Sequence, residues 1–359
     1  MAIDATMQVI RAHGPRDYRL EEIPVPQPGL GEILIEVDAC GICASDMKCW
    51  LGGELFWGKN NSGGYCEPPA VAGHEFAGHV VALGEGAGDL HGVEVGDRVI
   101  AEQIIPCGEC RFCRNGQYWM CQDHPIFGFK NFLIGGMAKY SLYPAKSRVH
   151  KVPESLSIGE AAYIEPATCA WHAVDRGESK EGDTVVIAGV GNIGLCMVQI
   201  AKMQGAGQVI AVDGRQYRLD LAREFGADVA IDVSNEDAVA RVRELTDGYG
   251  ADVYIEATGN PAAVEMGLQL IRKLGTYVEF SVFNEPATIN WTIIGDTKEL
   301  NIHGSHLGPY CYPKTIAAIA DGSLRVAPLV AEAYPISRFA EAMESSLSGG
   351  VMKNIIVPG

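Results

Sequence analysis

The stretch TVVIAGVGNIGLCMVQIAK, Thr184 to Lys202, decides the fold of half of this chain. It opens with an apolar, β-branched run, turns through Gly189, Gly191 and Gly194, and continues with apolar residues at helical spacing. A strand that feeds a helix through G-x-G-x-x-G cradles a pyrophosphate. The first glycine turns the chain, the second lets backbone N–H groups approach the phosphates, and the third packs helix against strand. Asn192 and Ile193 complete the turn. Asp213 ends the next apolar run, QVIAVD, where a carboxylate would accept both hydroxyls of an adenosine ribose and repel a 2′-phosphate. NAD is the expected cofactor, with Arg215 and Arg218 just beyond leaving some tolerance of NADP. The competing reading, a glycine turn without a ligand, is opposed by strand, helix and acid standing together in register.

Downstream, ADVAID, ADVYIEATG and GTYVEF repeat the apolar run, each after a helix-length polar stretch such as YRLDLAREFG. That alternation predicts a doubly wound parallel sheet covered by helices. Upstream the texture differs. GEILIEVD alternates polar and apolar residues, and short strand-like runs follow at Ala77 to Leu83 and Asp97 to Ala101, so a compact all-β unit is expected there. A helix begins near Ser157, another covers Pro313 to Asp321, and the closing NIIVP reads as a strand returning to the first unit. The loop from Leu51 to Pro69 is rich in Gly and Asn yet carries Phe56, Trp57 and Tyr65.

Cys107, Cys110, Cys113 and Cys121 form a Cys-x2-Cys-x2-Cys-x7-Cys run that neither strand nor helix periodicity generates. Closely spaced thiolates converge on one tetrahedral Zn²⁺, and a shell of four leaves no open position, so this zinc is expected to be structural. Disulfides are the alternative. Eleven cysteines and no secretory head favour thiols and a cytoplasmic location. No apolar run has the length of a membrane helix. A net charge of -17, without clusters of basic residues, argues against nucleic acid and anionic membrane as partners.

A second ligand set is dispersed: Cys43 in GICASD, His74 and Glu75 in GHEFAGH, and Glu165 in YIEPATCAWHA. Taken singly, each has a bland reading as a buried thiol, a structural histidine or a Glu-Pro helix start. Together with GDRV at Gly96 to Val99, the cysteine lobe and the glycine motif, they occur in the order of the zinc-dependent medium-chain dehydrogenase/reductase family, which the chain resembles over nearly its whole length. Its alcohol and polyol branch includes sorbitol, butanediol, tetritol and threonine dehydrogenases. The resemblance implies a GroES-like β-barrel catalytic domain from residues 1–160 and 310–359, with the structural zinc lobe at about 105–123. A Rossmann domain at 161–309 would complete the chain, with the active site in the cleft between them.

The same resemblance implies two zinc ions per chain and residue roles. Cys43, His74 and Glu165 would hold the catalytic zinc, with Glu75 as a direct ligand or just behind it, and Asp46 would orient His74. Ser45 would take the proton from the alcohol. Relatives often end the proton relay with a histidine where this chain has Lys48. Ile193, Thr168 and Cys169 would flank the nicotinamide, and Lys353 would reach Glu75 from the returning segment. His79, His172 and His306 are read as non-ligands. A carboxylate in place of a thiolate makes zinc harder, which suits the oxygen donors of a diol or polyol. Sorbitol-type relatives carry an Arg-Tyr pair where HLGPYCYPK offers Tyr310 alone, and Phe56 and Trp57 either roof a smaller pocket or pin the loop.

The expected activity is therefore NAD-linked oxidation of a short polyol or diol, such as a tetritol, by a homotetramer or homodimer. Sorbitol, threonine, simple alcohols and the reverse reduction of carbonyls remain alternatives. From other classes come a metal-free nucleotide-binding or structural member of the fold and a zinc-knuckle nucleic-acid binder. The retained ligands and the acidity oppose these two.

Overall fold

The computed structural model describes residues 3–59 and 63–359 and divides into two compact units, Met1–Glu165 with Tyr312–Gly359, and Pro166–Cys311. Residues 60–62 of the long loop lie outside the described residues. No helix among those described is long and apolar enough to cross a membrane.

The first unit is built on two sheets. Alternation in ILIEVDACG produces the strand Ile33–Gly41, which pairs antiparallel with Glu75–Leu83 and puts Ile33, Ile35 and Val37 into the core. The seven-stranded sheet runs outward from there, through Arg98–Ala101 and Val149–Lys151 on one side and through Lys353–Val357 and Val330–Pro335 on the other. The last strand of the chain thus returns to lie against Gly41 and Cys40. Asp17–Pro24, Thr6–Gly14 and Ala70–Val71 form the smaller sheet. This pairing of distant segments is what brings Lys353 beside Glu75.

The second unit contains a six-stranded parallel sheet. Its spatial order is Val229–Asp232, Gln208–Asp213, Thr184–Ala188, Ala251–Glu256, Ile271–Glu279 and Asn301–Gly304. The order reverses at Thr184–Ala188, so the glycine turn that follows this strand opens at the topological switch point where dinucleotides bind. The apolar runs have a physical cause: central parallel strands are covered on both faces, and Val186, Ala188, Ile210, Val212 and Tyr254 are all buried.

The helix expected to begin near Ser157 is Ile158–Gly177, and Glu165-Pro166 lies inside it, where the boundary between the units falls between these two residues. A proline there removes one helical hydrogen bond, which the packing of the buried segment around Tyr163 and Ile164 overrides.

Candidate metal centres and dinucleotide site

Cys43 caps the helix Ala44–Trp50, and its backbone N–H donates to Asp46 Oδ2 at 2.9 Å. His74 ends the turn before the strand Glu75–Leu83. Residue 41 must be glycine, because a Cβ there would collide with the Glu75 carboxylate. Ligand atoms of Cys43, His74 and Glu75 all lie within 4.8 Å of one another. Ser45 Oγ stands 3.4 Å from His74 Nε2, and Asp46 Oδ1 is 3.5 Å from Nδ1, a buried nitrogen without a closer partner.

Glu75 is fully buried, and Lys353 Nζ donates to its Oε1 at 2.8 Å and its Oε2 at 2.6 Å. The same ammonium donates to the Ile42 carbonyl at 3.1 Å. Glu165 stands outside the converging three: its carboxylate accepts a hydrogen bond from Gln103 Nε2, and Gln103 Oε1 accepts from Tyr312 at 2.9 Å. Burial by itself would lower the pKa of His74 and of Lys353. For His74, Asp46 and Cys43 reverse this and push it well above its ordinary value, and for Lys353, Glu75 leads Cys43 and Glu165 in raising it. The acidic groups thus favour positive charge at this cluster, and its mix of thiol, imidazole and carboxylate donors fits zinc.

In the lobe, Cys107 and Cys113 sulfurs are 3.9 Å apart, close to the edge of about 3.8 Å expected for a tetrahedron with 2.3 Å zinc–sulfur bonds. Backbone N–H groups of Cys107, Cys110 and Cys113 donate to the sulfurs of Cys121, Cys107 and Cys110 at 3.3, 3.3 and 3.5 Å. The Cys110 thiol is pulled down to about 6, first by the Cys113 N–H and then by that of Gln122. These donors stabilise thiolates, the form that binds metal.

Around His74 the rings form a wall. Phe129 lies 5.4 Å from His74 and stacks on Phe56 at 5.3 Å. Phe56 and Trp57 are both buried, and Trp57 Nε1 donates to the Cys49 carbonyl at 2.7 Å, so this loop is pinned to the helix. Lys48 is half-buried on that helix. Phe129, Gln103 and Tyr312 had no sequence signal: each is set by tertiary pairing. His79 bridges Asp38 at 2.9 Å and Glu154 at 3.2 Å, a structural role.

In the second unit, Gly189 has φ +88°, where a side chain is strained, and a Cβ on Gly194 would strike the Gly189 carbonyl. Gly191 caps the helix Asn192–Met203, and the space above it is open, with Arg218 nearest at 3.7 Å. Asp213 Oδ2 accepts from the Val190 N–H at 3.1 Å and lies 3.6 Å from Arg218 Nη1. This cradle fits a dinucleotide, with backbone N–H groups at a helix start and an acid beside the turn. Thr168 is buried against Gly308, and Tyr310 is exposed with φ +59°.

Comparison with known proteins agrees with both units. The alcohol dehydrogenase GroES-like domain model matches residues 29–154, and the zinc-binding dehydrogenase model matches residues 192–321. An erythritol/L-threitol dehydrogenase of Mycolicibacterium smegmatis is 48% identical over 96% of this chain and 95% of its own. The solved 2R,3R-butanediol dehydrogenase of Bacillus subtilis is 30% identical, covers 98% of this chain and 100% of its own, and has a TM-score of 0.86. A chain from Sinorhizobium meliloti 1021, assigned as a zinc-binding dehydrogenase and bound to NADP, is 29% identical with a TM-score of 0.89, covering 99% and 100%. Two-zinc donor sets, a dinucleotide cradle and likeness along the whole chain together make this protein a member of the zinc-dependent medium-chain dehydrogenases.

Proposed function

We propose that the chain oxidises a secondary hydroxyl of a short polyol or diol, a four-carbon tetritol foremost, to the ketone with NAD as hydride acceptor. The observation that carries this reading is the convergence of Cys43, His74 and Glu75 with the Ser45 hydroxyl 3.4 Å from His74 Nε2. Its kinship with erythritol/L-threitol and butanediol dehydrogenases supports the choice of substrate.

Zinc held by Cys43, His74 and Glu75 would supply Lewis acidity toward the alcohol oxygen, and the dinucleotide would supply the hydride acceptor. Ser45 takes the hydroxyl proton, and Lys48 is the candidate exit for it. Asp46 fixes the ring of His74, and Lys353 compensates the charge of Glu75. Glu165, within the electrostatic reach of Lys353, adds a hard donor beside the site. Asp213 favours NAD through the ribose hydroxyls, and Gly189, Gly191, Asn192, Ile193, Gly194, Thr168 and Arg218 complete the cofactor set. Phe56, Trp57 and Tyr310 remain the candidate substrate-pocket residues, Phe56 acting through Phe129. Cys107, Cys110, Cys113 and Cys121 hold the structural zinc.

Acidity and free thiols favour a cytoplasmic enzyme. A homotetramer or homodimer is the expected assembly, and the edge strand Asn301–Gly304, where Ile302 is exposed, is a surface on which two copies could pair. Light scattering tests the assembly.

Initial rates of NAD and NADP reduction over three- to six-carbon polyols, diols, simple alcohols and threonine test the function, alongside metal analysis. About two zinc per chain and fastest turnover of a four-carbon polyol are expected. Normal turnover and zinc content in Cys43→Ser would falsify the assignment.

A further inference from the structure

Glu102 and Gln103 follow the strand Arg98–Ala101, and both are buried although neither belongs to a metal set. Glu102 Oε2 accepts from the Tyr118 hydroxyl at 2.7 Å, while its Oε1 accepts from Arg148 Nε at 3.0 Å and faces His150 Nε2 at 3.2 Å. Tyr118 lies between Cys113 and Cys121, so these contacts tie the end of the strand to the cysteine lobe. The Phe127 N–H donates to the Gln103 carbonyl at 3.0 Å and fixes the backbone at the next residue. From this anchored position the Gln103 side chain joins two distant residues: its Nε2 donates to Glu165 Oε1, and its Oε1 accepts from the Tyr312 hydroxyl at 2.9 Å. A carboxylate only accepts, so the amide nitrogen must face Glu165 and the amide oxygen is left for a donor. Tyr312 supplies that donor. Its own ring is buried and stacks on His150, with centroids 5.0 Å apart and planes at 12°. The amide is therefore held in one orientation from both ends, and all of these residues belong to the first unit.

We propose that Gln103 is a positioning residue: its amide, oriented by Tyr312, fixes the Glu165 carboxylate beside the Cys43, His74 and Glu75 set, so that this carboxylate is presented to a bound cation in one orientation. The inference rests on reading those three residues as the zinc set. Gln103 acts through Glu165, as groups behind a metal site act through the donors they hold. The charge of Glu165 also reaches Lys353, whose ammonium holds Glu75, so a displaced Glu165 disturbs the charge balance of the set as well as its shape.

The test is a double-mutant cycle on the full chain loaded with cobalt(II), comparing the native protein with Gln103→Leu, Glu165→Ala and the double variant. Chelator competition gives the affinity. The Cys43 set offers one thiolate and the lobe four, so the two cobalt ions are told apart by their sulfur-to-metal absorption. Gln103→Leu should weaken cobalt binding at the Cys43 set about 10–100-fold and change its visible spectrum, with the lobe's absorption intact. In the Glu165→Ala background the same replacement should have little further effect, because the group it acts through is gone. Tyr312→Phe keeps the ring on His150 and withdraws only the hydroxyl. It should give a smaller loss of the same sign that also vanishes without Glu165, and it decides the matter if Gln103→Leu does not fold. Losses that simply add, native affinity in Gln103→Leu or in Glu165→Ala, or a loss that includes the lobe's absorption overturns the proposal. These readings need no substrate, so they fail separately from the polyol reading, which initial rates test.

Discussion

Lys353 and Glu75 form a buried two-point ion pair, 2.8 and 2.6 Å from the ammonium to the two carboxylate oxygens, with side chains only 3% and 1% exposed. Removing one partner strands the other charge in a buried position beside the candidate ligands Cys43 and His74. Lys353→Met should therefore lower stability by about 3–5 kcal/mol, the usual cost of breaking a buried pair. Lys353→Met with Glu75→Gln should recover much of this, because no bare charge remains. Denaturant titration of the single and double variants checks the difference; equal losses would mean that lost packing dominates.

Asp46 approaches His74 Nδ1 at 3.5 Å while also accepting the Cys43 N–H at 2.9 Å, so one carboxylate faces two members of the candidate metal set. Asp46→Asn keeps the shape but removes the charge. A loss of about 10–100-fold in zinc affinity or turnover is expected, the range for groups that orient ligands. Zinc competition with a chelator gives the first number and steady-state kinetics the second. Unchanged values for both would remove Asp46 from the site.

Asp213 presents its carboxylate at the end of the strand Gln208–Asp213, with Arg218 3.6 Å away. Replacing it by serine removes the repulsion toward a 2′-phosphate and leaves the arginine to receive one. The ratio of kcat/KM for NAD over NADP should fall at least about tenfold, as expected for loss of about 1.4 kcal/mol of discrimination. A ratio that does not move would place the cofactor choice elsewhere.

Local features are legible in the amino-acid sequence. The glycine turn and the cysteine lobe each lie within a short segment, so their geometry follows from spacing. Cys43 and His74 are joined only through a family resemblance, since nothing in the intervening residues measures their distance. Lys353 is 278 residues from Glu75, and Tyr312 is 209 from Gln103, so sheet topology alone brings these pairs together. Phe129 gives no signal because an aromatic residue in an irregular segment is as readily core as pocket wall. The helix from near Ser157 is legible through Glu165-Pro166 because apolar residues keep helical spacing on both sides, and their burial outweighs the hydrogen bond that proline removes.

Glu279 and Glu256 end neighbouring parallel strands in direct register, between Ala188 and Gly304 along the same row of the sheet. Glu256 is satisfied by the N–H groups of Thr258 and Gly259, whereas Glu279 Oε1 has no hydrogen-bond partner among the described residues. Burial first, and then the neighbouring Glu256 charge, raise Glu279 from 4.5 to about 7. A carboxyl group with a raised folded-state pKa stabilises the protein fully below its unfolded value. That contribution disappears as pH climbs through the folded value. The stability of the wild type should thus decline between about pH 4.5 and 7 relative to Glu279→Gln, which cannot ionise, and the gap should level off above the folded value. Thermal midpoints of both proteins across this range make the comparison, and a gap independent of pH would show that Glu279 does not titrate there.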